Sequence, residues 1–219
     1  MKMNRRTFLA GTGALAGTSI AGCSQLTGDE PLVFEATPAS VPSGTLEETG
    51  YEENEVRDLE IDRTFEVGGQ ERKVVVTNWV AAYEKNVEME VGPEGDQRGG
   101  VFTALSTPKI EIVGREFNPV ADMSNKELVE RVGERYDRVE NIEVDEEESI
   151  TVLGETTTRT RFTAEARLGE TEVDIYLHLS NPVESAGQFV VGVGGHPQLL
   201  SNEEDNVIRM MEEIQHETE

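Results

Sequence analysis

Two stretches in the C-terminal half alternate apolar and polar residues with a period of two. Thr160, Phe162, Ala164 and Ala166 form one series, and Val173, Ile175, Leu177 and Leu179 form the other. Between them Gly169-Glu170 suits a tight turn with glycine first. That turn pairs Ala166 with Val173, Ala164 with Ile175, Phe162 with Leu177 and Thr160 with Leu179, all on one face. The opposite face pairs Arg167 with Glu172 and Arg161 with His178, which places His178 outward. A slip of one residue would mix the two faces, so the register is well specified. The chain must therefore build an antiparallel sheet with at least one covered face.

Other segments read as further strands. Leu32-Val33-Phe34 reads as a first strand, and Pro38, Pro42, Ser43 and Gly44 mark turns and loop. Leu59, Ile61, Phe65 and Val67 alternate ahead of Gly68-Gly69, and an apolar run from Val74 to Val80 follows. This predicts a hairpin whose second strand is buried in part on both faces, and two-residue loops at 68–69 and 69–70 fit it equally. Residues 92–100 read as a loop and residues 101–113 as a strand, with an edge position or bulge at Pro108. Phe189, Val191 and Val193 give one more strand before Gly194-Gly195-His196-Pro197 breaks it.

Two capping boxes predict helices. Ser124-Asn125-Lys126-Glu127 precedes an apolar face of Leu128, Val129, Val132 and Tyr136. Ser201-Asn202-Glu203-Glu204 precedes Val207, Ile208, Met211 and Ile214. Helices must cover sheet faces, so the fold class is α+β, a mainly antiparallel β-sheet flanked by two helices.

Charge narrows the setting. The formal charge is −25, and it becomes −28 when residues 1–22, which hold Lys2, Arg5, Arg6 and no acid, are set aside. Only five lysines stand against fourteen arginines. Self-repulsion on this scale destabilises a compact chain in dilute salt. At about 1 M salt the Debye length is about 3 Å and the repulsion is largely screened. The composition thus suits molar salt. It excludes nucleic acid as a partner, because that binding needs a basic footprint. The alternating strands argue against an acidic disordered chain.

The N-terminus carries an address. Arg5 and Arg6, followed by Thr7-Phe8-Leu9, resemble a twin-arginine export signal. Residues 7–22 are too short and too rich in glycine for a membrane span, which needs about 20 apolar residues. Ile20-Ala21-Gly22-Cys23 resembles a lipobox, in which the cysteine thiol carries a lipid. The expected organisation is a signal peptide at 1–22, a polar tether at 23–31 and a single extracytoplasmic α+β domain at 32–219, with 32–100 as a possible N-terminal β extension. Cys23 is the only cysteine, so the mature domain has no disulfide staple and no cysteine nucleophile or ligand.

No constellation in the sequence announces catalysis, and no cofactor or metal site is expected. His178, His196 and His216 show no zinc spacing. His196 reads as a turn histidine and His216 lies in a fraying C-terminus. Gly192-x-Gly194-Gly195 lacks the lysine of a phosphate cradle. Asp145-Glu146-Glu147-Glu148 reads as a solvated run rather than a calcium loop, which uses alternating ligands. Arg159, Arg161 and Arg167 form a basic stripe on one strand face. Cross-strand pairing with Glu172 and its neighbours is the expectation for them, and docking of an acidic partner is the alternative.

From Val101 onward, the order of elements resembles the Mog1/PsbP-like fold, an α/β/α sandwich. The acidic surface, scarce lysine, export signal and lipobox together resemble lipoproteins of halophilic archaea. Phe34-x-Ala36-x-Pro38-Ala39 and Thr49-Gly50-Tyr51 make the whole chain similar to a haloarchaeal twin-arginine-exported lipoprotein family. The resemblance implies a lipid anchor on the outer face of the cell membrane and supplies no catalytic residue. The expected function is a non-enzymatic surface protein that binds a partner protein or supports envelope assembly. A small-molecule or ion-binding lipoprotein and an extracellular hydrolase are the alternatives.

Overall fold

The computed structural model describes residues 31–67, 70–88, 96–112, 115–116, 139–168 and 171–216. The export signal with Arg5 and Arg6, the lipobox with Cys23, the turn at 169–170 and the helix predicted at 124–136 lie outside these residues.

Strands dominate. β1 (Leu32–Glu35), β2 (Ala39–Ser40) and helix α1 (Ser43–Thr49) lead into β3 (Glu52–Val67), β4 (Gln70–Glu88) and β5 (Asp96–Pro108). Two short strands, β6 (Glu111–Ile112) and β7 (Arg115–Glu116), pair with each other. Then come β8 (Val139–Val152), β9 (Glu155–Leu168), β10 (Thr171–Ser180), β11 (Val183–Ser185) and β12 (Gln188–Pro197). Helix α2 (Glu203–Glu212) and β13 (Gln215–His216) close the chain. One sheet runs β3-β4-β5-β12-β10-β9-β8, with β1 also on β4 and β11 on β12, so β1, β3, β4 and β5 share it with the later strands, while β2 pairs with β13. All its pairings are antiparallel except β1 with β4.

The β9–β10 register is the one the alternation predicts, from Ala166 opposite Val173 to Thr160 opposite Leu179. The described β3–β4 pairing ends with Val67 opposite Gln70, and residues 68–69 between them lie outside the described residues. β4 buries both faces in turn: Val74, Val76 and Asn78 on one side, then Ala81 and Tyr83 on the other. Residues 96–100, expected as loop, already belong to β5. Pro108 ends β5 beyond the last β4 pair, Trp79 with Ser106, so β12 alone pairs with it there. An edge is where a residue without an N–H fits.

Three expectations need correction. Residues 43–49 form α1 rather than loop; Pro42 precedes it, and Gly50 at φ 76° closes it in the left-handed region that glycine adopts freely. The acid run, to which the sequence assigned no strand, is part of β8, where two register shifts hide the alternation. Gly194-Gly195-His196-Pro197 does not break β12; it is the paired end of that strand.

Those glycines make room. A Cβ on Gly194 would overlap Val207 of α2, and one on Gly192 would crowd Met211 and Ile214. The helix thus seats directly on backbone, and its Val207, Met210 and Met211 join Tyr83, Phe102, Ala104 and Val190 in the main core. α1 packs on the same layer, with Thr49 Oγ1 3.5 Å from Met210 Sδ. Phe162, Leu179 and Val191 form a separate core on the opposite sheet face.

Gly194→Ala should therefore destabilise the domain by about 1–3 kcal/mol through overpacking. Gly44→Ala, on open α1 surface, should be neutral or slightly stabilising. Thermal melts of both variants in molar salt measure the contrast, and equal midpoints would remove the account of α2 seating.

Candidate functional site

The sheet surface beside α2 gathers the polar residues. Arg161, His178 and Gly194 are cross-strand neighbours on β9, β10 and β12, and Arg159 and His196 lie diagonally from His178. Gly194, opposite His178, leaves room that Val207 of α2 occupies. The result is a buried polar seam under the first turns of α2.

Arg159 is the largest fully buried side chain described. Its Nη1 donates to Glu204 Oε1 at 2.8 Å and to His178 Nδ1 at 2.9 Å, and its Nη2 donates to Glu148 Oε2 at 2.9 Å. Arg161 donates to both Glu204 oxygens, at 2.7 and 2.6 Å, and to Asp145 at 2.7 Å. Glu146 sits 3.2 Å from Arg161. The shift of register between Val144 and Glu146 brings Asp145 and Glu146 to the same guanidinium. Lys85 on β4 pairs with Glu203 at 2.5 Å, so two consecutive acids of α2 are clamped to two distant strands.

The hydrogen bonds assign the imidazole protons. A guanidinium cannot accept, so His178 Nδ1 must accept from Arg159. A neutral His178 then carries its proton on Nε2 and donates to His196 Nε2 at 3.0 Å. That leaves the His196 proton on Nδ1, which donates to the Pro197 carbonyl at 3.0 Å. The rings lie nearly parallel at 14°, and the Tyr176 ring meets His178 edge-on and His196 at a tilt.

Burial, His196 and Arg159 push the His178 pKa down to about 3. Burial also lowers that of His196, against the opposing pull of the Pro197 carbonyl, Glu203 and Glu204. For Glu204, burial is outweighed by its bonds to Arg159 and Arg161, which hold its carboxyl below the usual range.

These positions revise three readings. His178 faces α2 and is buried, not outward. His196 is buried within β12, not in a turn. The acid run is not simply solvated, since Asp145, Glu146 and Glu148 meet Arg159 and Arg161. The arginine stripe does pair across strands, Arg167 with Glu172 at 2.8 Å, and Arg159 and Arg161 also reach the helix. The capping box at Ser201 is not used: the N-cap is Asn202 without a side-chain bond, and Glu204 is engaged by the arginines instead. The Ser201-Asn202-Glu203-Glu204 pattern located the helix but not the task of its acids.

A second polar cluster lies at the other end of α2. His216, far from fraying, pairs with Ala39 through β13 and β2. Its Nδ1 is 3.1 Å from Ser185 Oγ and its Nε2 is 2.8 Å from Thr37 Oγ1. Gln188 clamps Thr37 by accepting from its N–H at 2.7 Å and donating to its hydroxyl at 2.8 Å. Ala186, beside Ser185, adopts a left-handed φ of 50° in the β11–β12 turn. Among the described residues no group of three or more His, Cys, Asp or Glu side chains is arranged to hold a metal ion.

Fold and seam together define an antiparallel-sheet domain whose closing helix is bound to the sheet by buried charge. The family model of DUF6517, a domain of unknown function, matches residues 38–215, and the chain belongs to that family. Neither the curated proteins nor the solved structures contain a match to it.

Glu204→Gln should cost about 1–3 kcal/mol, because Arg159 keeps Glu148 but loses its charged link to α2. Arg167→Gln, at an exposed pair, should cost under about 1 kcal/mol. Chemical denaturation in molar salt orders the two, and equal losses would show that the seam carries no special weight.

Proposed function

We propose that this chain is a lipid-anchored, extracytoplasmic accessory module of a halophile, held to the outer face of the cell membrane through Cys23 and working by binding a partner protein or supporting an envelope assembly. The observation that carries the non-enzymatic reading is the closure of the polar seam. Both nitrogens of His178 and of His196 are engaged within the protein, and the carboxylates of Glu203 and Glu204 hold α2 in place. These groups serve the fold and leave function to the surface. An antiparallel sheet, with a last helix that follows a glycine-rich strand end, supports kinship with the Mog1/PsbP-like fold. Fold kinship is only an analogy for function. No described helix is long and apolar enough to cross a membrane, and the lipid supplies the anchor in this reading.

Both sheet edges carry dense acid. β3 holds seven acids in its 16 residues and β8 six in its 14. Such edges discourage strand-to-strand aggregation and stay hydrated in concentrated salt.

Intact mass of membrane-extracted protein should give a lipidated chain starting at Cys23, and cross-linking of intact cells in native salt should enrich one dominant partner. An unmodified chain starting near Met1, together with repeated failure to enrich any protein, would sink the proposal. Dialysis of the mature domain from molar to millimolar salt should abolish its circular dichroism, and an unchanged spectrum would remove the halophile reading.

One contact favours the hydrolase alternative: Ser185 Oγ lies 3.1 Å from His216 Nδ1, with Thr37 on the far ring nitrogen. The accessory reading expects no adduct when the mature protein meets a fluorophosphonate probe. An adduct on Ser185 that disappears in His216→Gln would overturn it.

A further inference from the structure

The imidazole chain at the start of α2 has a fixed polarity. It runs from Arg159 Nη1 through His178 Nδ1 and Nε2 to His196 Nε2, then from His196 Nδ1 to the Pro197 carbonyl. Each joint has one donor and one acceptor, and the two rings hold two protons. A third proton has no place. If His196 takes it on Nε2, that N–H faces the Nε2–H of His178. If His178 relieves this by moving its proton to Nδ1, that N–H faces the Arg159 guanidinium. Every protonated arrangement contains a donor–donor contact inside the protein, where such a conflict is costly.

The chain ends where α2 begins. The Pro197 carbonyl that accepts from His196 also accepts from the Leu200 N–H, and the Leu200 carbonyl accepts from the Glu203 N–H. The loop between β12 and α2, with its exposed Leu199, therefore hangs from the same carbonyl as the imidazoles, and at Gln198 also from the Asp174 and Ile175 carbonyls of β10.

We propose that the His178–His196 pair is an acid-sensitive latch: uptake of one proton by the pair releases residues 198–204, the loop and the first turn of α2, from the sheet. The surrounding charges set where the proton enters. Arg159 and Arg161 on β9 both act on His178, and Arg161 also acts on His196; Glu204 on α2 acts on both rings, and Glu203 on His196; Glu146 and Glu148 on β8 and Lys85 on β4 neutralise these partners; Tyr176 on β10 contributes its ring. The proton enters at His196, the ring on which both acids act and Arg159 does not.

The direction follows from linkage. Both imidazoles titrate below the ordinary value of 6.5 when the latch is closed, so the open form binds more protons at mildly acid pH. Closure is complete above the ordinary imidazole pKa and weakens as pH falls from there toward 3. Glu204, whose carboxyl is held below its usual range, stays ionised over the upper part of that window.

The test uses the mature full chain in molar KCl, in a His216→Gln background that removes the separate histidine staple. Imidazole ¹⁵N shifts near pH 7 should show neutral His178 protonated on Nε2 and neutral His196 protonated on Nδ1. Hydrogen exchange, corrected for intrinsic rate, should lose protection about tenfold or more in residues 198–204 between about pH 7 and about pH 4.5, while β9 and β10 stay protected. In a His178→Gln/His196→Gln variant that selective loss should vanish. If the double variant does not fold, the ¹⁵N titration of His196 must still coincide with the loss of protection. Charged rings or reversed tautomers near pH 7 would overturn the latch, as would protection that does not change with pH. An equal acid effect in the folded double variant would assign the change to carboxylates instead.

Discussion

The guanidinium of Arg159 is the constraint on which the closing helix depends. Burying a lone charge costs several kcal/mol, so this side chain is tolerable only with acceptors around it. Glu204 comes from α2, Glu148 from β8 and His178 from β10, so pairing the two terminal nitrogens of one residue of β9 requires three other elements to be in register. A misplaced helix or a slipped β8 would strand the charge. The seam therefore adds specificity to a sheet whose apolar alternation leaves the position of α2 less determined. Gly192 and Gly194 complete the arrangement by letting the helix come close enough for Glu204 to reach.

Period-two alternation made β9 and β10 readable, because each presents one apolar face over many residues, while an apolar run marked only part of β4, which buries both faces in turn. β8 escaped for the opposite reason. Its acids have low strand propensity, and its register shifts put consecutive acids where alternation would demand an apolar residue. α1 escaped because seven residues carry too little periodicity to register, although Gly50 marked its end. The glycines of β12 were read as breakers by their usual meaning. Their actual use is close packing under Val207, which local sequence does not reveal.

The polar seam was half legible. The β9–β10 register placed Arg161 opposite His178, so their proximity was available from the alternation alone. The error lay in treating that face as solvent. A face bearing arginine and histidine reads as exposed unless something is known to cover it, and here the cover is a helix that follows β12. His196 lies diagonal to His178 only once β12 pairs with β10, a connection between strands that are not consecutive. His216 was harder still, since its partners Thr37 and Ser185 are far from it in sequence.

The seam and the acidic surface respond differently to salt, and this ties them together. In the molar salt proposed for this chain, exposed pairs such as Lys73 with Asp62 and Arg167 with Glu172 are screened within about 3 Å and contribute little. Counterions do not reach Arg159 in the same way, because it is buried beneath α2. The many acids at the sheet edges can then serve hydration while a few of them carry structure. Asp145, Glu146 and Glu148 belong to the same acid run as Glu147, yet those three sit within ion-pair distance of the arginines. Arginine suits this role better than lysine, since its planar fork can meet two carboxylates and an imidazole at once. A chain in concentrated salt gains most from cations placed where screening fails, and the shared guanidinium of Arg159 is such a cation.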